Sequence, residues 1–221
     1  MRQNLSSDLA GTLREMIADG HLVAGERVAE EVLARSLEVS RTPLREALAR
    51  LAADGFVEHR PRLGFYVQTL DAGTVRQLFQ VRAALVPAAL ALAGLPDHAT
   101  RKRLRLLTRD MRRARGDPET TMDMDNEWLL ALLSKCANRL LLDLIERVTQ
   151  RIRPAARAYL RQDGGMEAAF LRIHERVGAD LARRDLDLAL ATLRQEMRAA
   201  TERTVAWLEA ARPACADMRR S

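Results

Sequence analysis

Apolar positions along this chain recur every three or four residues almost from end to end, and one short stretch breaks the rhythm with alternation. Leu9, Leu13 and Ile17, with Met16, mark an amphipathic first helix that stops at a Gly20 turn. Residues 21–28, HLVAGERV, read as a turn, and a second helix follows over residues 29–36 with Val32, Leu33 and Leu37 inward. A third helix starts at VSRTP: Ser40 or Thr42 can cap it, and Pro43 suits the first turn, where a missing N–H is harmless. Leu44, Leu48 and Leu51 line its buried face, and Gly55 ends it. The alternation lies in FVEH (56–59) and FYV (65–67), two β-prone runs around RPRLG that predict a hairpin. Three short helices and a two-stranded wing within about 65 residues predict a winged helix-turn-helix.

Past Val67 the rhythm is helical throughout. Residues 68–71 form a short linker, with Asp71 placed to cap a long helix. The periodicity predicts six helices, over residues 72–93, 97–115, 119–136, 138–161, 165–183 and 186–211, with breaks at GLP, GDP, Asn138, DGG and Arg184-Asp185. Pro87 inside the first of them is expected to kink it or shift its end. The fold class is therefore mainly α: an N-terminal winged helix-turn-helix and a C-terminal all-helical bundle. The expected division is residues 1–68, a linker over 69–74, a helical domain over 75–212 and a flexible tail over 213–221.

Composition changes this picture little. Aromatic residues are only 4% of the chain, so the core rests on Leu, Ala, Val and Met, which favours helices. No apolar run reaches the ~18 residues of a membrane span, and the N-terminus lacks the apolar segment of a signal peptide. Cys136 and Cys215 stand outside any CxxC spacing and read as free thiols. These features predict a soluble, cytoplasmic protein with no membrane partner. The net charge is +6, but residues 1–67 hold nine Arg against ten Asp or Glu, so net charge alone marks no nucleic-acid face.

Local order does mark one. A helix that enters the major groove N-terminus first needs short hydroxyls, free N–H groups and Arg in its first turn. Arg41, Thr42 and Arg45 occupy that turn, opposite Leu44 and Leu48. Arg60 and Arg62 stand at the wing tip, within reach of a minor groove or the flanking phosphates. The run VAEEVLARSLEVSRTPLREALARLAADGFVEHRPRLGFYV resembles the DNA-binding domain of the GntR family of bacterial transcription regulators, over residues 5–68 almost without gaps. The resemblance implies DNA contacts from Arg41, Thr42 and Arg45, helped by the wing around Arg62 and Gly64, and a dimer on a palindromic operator. Glu31 departs from it, standing where some members place a DNA-contacting Arg.

The helical domain resembles the FadR-type (FCD) ligand-sensing domain, and its six helices its shorter, VanR-like branch. Many FCD domains hold a metal through an Asp, a His one turn later and two further His. Here Asp125 is retained, Leu129 replaces the first His, His174 fits the second and Glu196 falls where the third belongs. Asp125, His174 and Glu196 can together hold one divalent metal ion. The preferred alternative is a metal-free pocket in which the same residues satisfy polar partners, with Leu129 making the wall more apolar. FCD sensors commonly bind small organic acids, which need an inward Arg: Arg82, Arg153 and Arg157 are the candidates. Trp128, Met122 and Met124 read as helical core.

Two function classes follow. The favoured one is a ligand-responsive, homodimeric DNA-binding transcription regulator, expected to be a repressor, that grips a double-stranded DNA operator and is released or retuned by a small-molecule effector. The rival is a metal-dependent enzyme on the helical domain, with the winged helix used for protein contacts. No paired carboxylate–His motif and no Ser–His or Cys–His arrangement supports the rival, so no enzyme is expected.

Overall fold

Leu13, Leu44, Leu48 and Leu51 are completely buried and meet from two helices, α1 (Arg2–Ala18) and α3 (Arg41–Ala53), in the computed structural model, which describes residues 2–69, 71–161 and 164–217. They centre the core of the first of two units, Met1–Leu70 and Asp71–Ser221. α2 (Glu30–Ser36) adds Leu33 and Ala34 to that core. Val32, expected inward, is 61% exposed. A helix of two turns has a single inward stripe, and Leu33 occupies it.

The wing is β1 (Val57–Arg60) paired antiparallel with β2 (Gly64–Val67), in register from Val57↔Val67 to Arg60↔Gly64. Phe65 and Val67 face the core. Residues 21–28 are more than the expected turn. The Val28 N–H donates to the Phe65 carbonyl (2.8 Å), the Val67 N–H donates to the Glu26 carbonyl (2.9 Å), and Arg27 bridges Tyr66. The segment satisfies the outer edge of β2, which would otherwise present bare N–H and C=O groups.

The second unit consists, among the described residues, of α4 (Ala72–Ala93), α5 (His98–Arg113), α6 (Pro118–Leu132), α7 (Arg139–Leu160), α8 (Gly164–Ala182) and α9 (Leu186–Asp217). Four starts are capped by a side chain, Asp71 as expected and three others besides. Asp71 accepts from the Thr74 N–H (2.6 Å), Asp97 from Thr100 (2.8 Å), Asp117 from Thr120 (3.2 Å) and Asn138 from Leu141 (3.1 Å). α4 continues through Pro87 rather than ending there. By length and mean hydropathy (1.2) α4 is apolar enough to cross a membrane. It carries Arg82 at its middle and sends Val86, Ala89 and Leu90 into the main core with Leu104, Met111 and Leu132. α6 stops at Leu132, short of the expected 136, and Cys136 follows as a buried free thiol. α9 runs to Asp217, into the stretch read as a tail; residues 218–221 and the Cys215 side chain lie outside the described residues.

Three helix ends share one closing device. After α2, α3 and α8 the next-but-one residue takes a left-handed conformation: Glu38 (φ 54°), Gly55 (φ 75°) and Arg184 (φ 63°). In each, the following N–H reaches five residues back: Val39 to the Ala34 carbonyl (3.0 Å), Phe56 to Leu51 (2.9 Å) and Asp185 to Asp180 (3.2 Å). This is a Schellman closure, and it places the sharp turn between α2 and α3 at Glu38.

Candidate functional site

Two places gather functional side chains, one in each unit. In the first unit, α3 begins at Arg41 with Ser40 in the N-cap position in extended conformation. Among the described residues neither Ser40 nor Thr42 caps the helix through its side chain, so the first-turn N–H groups face outward without a hydroxyl of their own. Arg41, Thr42 and Arg45 are exposed at this end, while Leu44, Ala47 and Leu48 hold the opposite face to the core. The wing turn runs from Arg60 to Leu63, closed by the Leu63 N–H on the Arg60 carbonyl (3.0 Å). Pro61 and Arg62 are its central pair, and Arg62 has φ 64°, the pattern a type II turn requires. The tip is therefore Pro61-Arg62-Leu63. Arg60, expected there, belongs to β1, where its guanidinium lies over the Tyr66 ring (4.2 Å).

The arginines of this surface are not bare. Arg41 pairs with Glu31 (2.9 Å), Arg45 with Glu30 (3.5 Å) and Arg60 with Glu58 (3.0 Å). Glu30 also lies against the wing. A side chain placed on Gly64 (φ 94°) would stand 3.4 Å from the Glu30 carboxylate and 3.6 Å from Arg27. Gly64 thus serves both as a left-handed turn residue and as the point where α2 approaches the wing.

In the second unit, α4, α6, α7, α8 and α9 line two small adjoining cavities of about 40 and 50 Å³, sharing a wall that includes Phe79, Arg82, Asp125, Phe170 and Ile173. Leu129, Trp128 and His174 line the first, and Thr149, Tyr159 and Arg203 the second. Asp125 is the hub. One carboxylate oxygen meets His174 Nε2 (2.8 Å) and the other lies 3.7 Å from the Arg82 guanidinium. Burial alone would push the Asp125 carboxyl up. The His174 hydrogen bond and the charges of Arg82, His174 and Arg153 outweigh burial and hold it below the usual carboxylate range. Trp128 stands edge-on to the His174 ring (centroids 4.8 Å). Three buried polar atoms on these walls have no hydrogen-bond partner among the described residues: Arg82 Nε, Trp128 Nε1 and Thr149 Oγ1.

Of the three arginines expected to meet an acid, the structure brings one to the cavity. Arg82 lines both lobes. Arg157 is buried but clamped to Glu119 of α6 (2.9 and 3.1 Å), which also takes Arg161 (2.8 Å). Arg153 pairs with Asp123. Leu129 faces the first lobe as expected of an apolar wall.

The three-ligand metal site does not assemble. His174 has the orientation of a metal-ligating imidazole, with Nδ1 on the Phe170 carbonyl (3.2 Å) and Nε2 toward Asp125. Glu196, however, pairs with Arg176 and lines neither cavity, Leu129 offers only hydrocarbon, and Arg82 already brings a cation to Asp125. Among the described residues no group of three or more His, Cys, Asp or Glu side chains is gathered to hold a metal ion. The residues present do not fit the centre the family implies.

Sequence reasoning missed the carboxylate partners Glu30 and Glu58, the aromatic walls Phe79 and Phe170, and Trp128, which is both core and cavity wall. Helical spacing carried part of that signal: Phe79-Arg82-Val86 and Asp125-Trp128-Leu129 each follow the three-four step from a polar residue already singled out.

Residues 5–67 match the model for bacterial regulatory proteins of the gntR family, and residues 77–199 the model for the FCD domain. The Nta operon transcriptional regulator of Aminobacter aminovorans is 34% identical over 142 residues, 62% of this chain and 67% of that protein. The HTH-type transcriptional regulator YdhC of Bacillus subtilis is 30% identical over 183 residues, 80% of each chain. Among solved structures, Escherichia coli McbR/YncC superposes with a TM-score of 0.78 at 23% identity, covering 93% of this chain and 97% of that one. A transcriptional regulator, GntR, from Rhodococcus sp. RHA1 gives 0.74 at 24%, covering 91% and 97%. At these identities the solved structures speak to the fold alone.

Proposed function

This chain belongs to the GntR family of bacterial regulatory proteins and carries its FCD domain, and from that premise we propose a cytoplasmic, homodimeric repressor whose palindromic operator is released when a small organic acid enters the helical unit. It is a DNA-binding transcription regulator and not an enzyme. On this reading the first turn of α3 enters the major groove, with Arg41 and Arg45 on base edges or phosphates and Thr42 on the backbone. Arg62, at the wing tip, addresses the adjacent groove, and a two-fold dimer doubles the contacts. The six helices α4–α9 support the shorter, VanR-like branch of the sensor.

The observation that carries the effector reading is Arg82. Its side chain is buried to 16% exposure, its Nε is unpartnered, and its only ion pair among the described residues is the long one to Asp125. A ligand carboxylate that takes a closer, two-pronged position on the guanidinium improves on that pair. The same ligand would place its apolar body against Phe79, Phe170 and Leu129, and an acceptor within reach of Trp128 Nε1.

The test begins with a duplex enriched from a random library by the full chain. Mono- and dicarboxylates of increasing apolar size are titrated into the complex and release is followed by fluorescence anisotropy. A carboxylate that releases wild type should fail on Arg82→Gln, with the DNA affinity of the ligand-free variant within about twofold of wild type. Equal release from both proteins would remove Arg82 from the effector site.

A further inference from the structure

Arg41 and Arg45 at the start of α3, and Arg60 on the wing strand, are each engaged by a carboxylate from their own unit. Glu31 and Glu30 occupy consecutive positions in the first turn of α2, and they reach across to Arg41 and Arg45 in the first turn of α3. Glu58 does the same for Arg60 along β1. Of the arginines proposed to meet DNA, Arg62 at the wing tip has no such carboxylate partner among the described residues. The sequence shows the same balance as a count: nine Arg against ten carboxylates over residues 1–67. A surface meant only to hold DNA tightly would gain by losing these acids, because phosphate contacts carry most of the affinity for any duplex.

We propose that Glu30, Glu31 and Glu58 are specificity determinants of DNA binding, which hold the DNA-facing arginines in internal ion pairs that the phosphate backbone alone exchanges poorly. A random duplex offers each guanidinium a phosphate in place of a carboxylate, close to an even trade, and leaves the glutamate facing the phosphates uncompensated. A matched site offers more, two acceptors on a guanine edge in the plane of the guanidinium. The carboxylates therefore lower affinity for bulk DNA more than affinity for the operator. The inference rests on the docking of α3 proposed above.

The experiment uses the full chain and a duplex of scrambled sequence, near physiological ionic strength. Glu30→Gln, Glu31→Gln and Glu58→Gln are compared with wild type, singly and together. Glu15→Gln is the control for charge alone. Glu15 sits beside Arg14, which grips Asp54 at the opposite end of α3 (3.0 Å). That end is about 20 Å along the helix from Arg41, beyond the ~8 Å screening length. Each single variant should bind the scrambled duplex on the order of two- to fivefold more tightly. The triple variant should gain on the order of tenfold or more, and Glu15→Gln less than twofold, about the limit of a screened charge. Arg45→Ala is measured alongside. If Arg45→Ala loses affinity while the three glutamine variants bind as wild type, the pairs play no part and the inference falls with the docking intact. An equal gain from Glu15→Gln overturns it as well, since net charge would then explain everything. If Arg45→Ala binds every duplex as wild type does, the docking itself is wrong and the inference goes with it.

Discussion

At the residue scale, Asp125 concentrates the electrostatics of the helical unit. A buried carboxylate is stable only with partners, and this one has His174 and Arg82 on its two oxygens. Its folded carboxyl titrates below the unfolded value of about 3.9. The stabilisation it supplies is therefore complete above about pH 4 and drains away as pH falls through the folded value. Asp125→Asn leaves Arg82 and His174 facing no charge and should cost on the order of 3 kcal/mol near neutrality. The difference from wild type should shrink as pH falls below about 4. Thermal unfolding followed by the emission of Trp128 and Trp207, both in this unit, reads the effect; a difference that stays constant into acid would contradict it. Asp125 and His174 were legible as members of one polar site through the resemblance to FCD domains. Whether Glu196 joined them was not legible, since that depends on which way one side chain leaves α9, and Arg176 decides it.

At the element scale, the turn between α2 and α3 sets the angle of the helix proposed to enter DNA. Its left-handed residue is Glu38, where Gly is the low-strain choice, as Gly55 is after α3. Glu38→Gly should relieve strain and stabilise the helix pair by up to about 1 kcal/mol. Hydrogen exchange of the full chain, read by mass spectrometry on peptides from residues 30–53, should slow on substitution; unchanged or faster exchange would show that Glu38 makes up its strain elsewhere. Helix positions and the Asp71 cap were legible because apolar spacing and Asp, Asn, Gly and Pro are local signals, whereas the cap expected from Ser40 or Thr42 did not form. The short strand-like pairing of residues 26–28 with β2 was not, since a Gly in an apolar–polar run looks like a turn until a neighbouring strand edge needs a partner.

At the scale of the whole molecule, the reading requires DNA and effector to be coupled. An acid that weakens operator binding by a given factor must itself bind the operator complex more weakly by the same factor, because both bindings close one cycle. Isothermal titration of the releasing carboxylate into free protein and into the saturated operator complex should return matching ratios. Equal affinity in both titrations would mean that the acid occupies the cavity without controlling DNA.

The sequence by itself determined the class of molecule: helical periodicity, turn residues and the order VSRTPLREALARLAADG specify a winged helix-turn-helix followed by an all-helical domain. Those features are legible because they depend on near neighbours along the chain. Tertiary structure decided the rest, since it depends on residues far apart in sequence meeting across helices. It chose Arg82 over Arg157 for the cavity, because Glu119 of α6 claims Arg157 first. It separated Glu196 from Asp125 and His174, and it set Glu30 and Glu31 against the arginines of α3. A charged side chain is committed to whichever opposite charge the packing of helices brings within reach, and no local pattern records that choice.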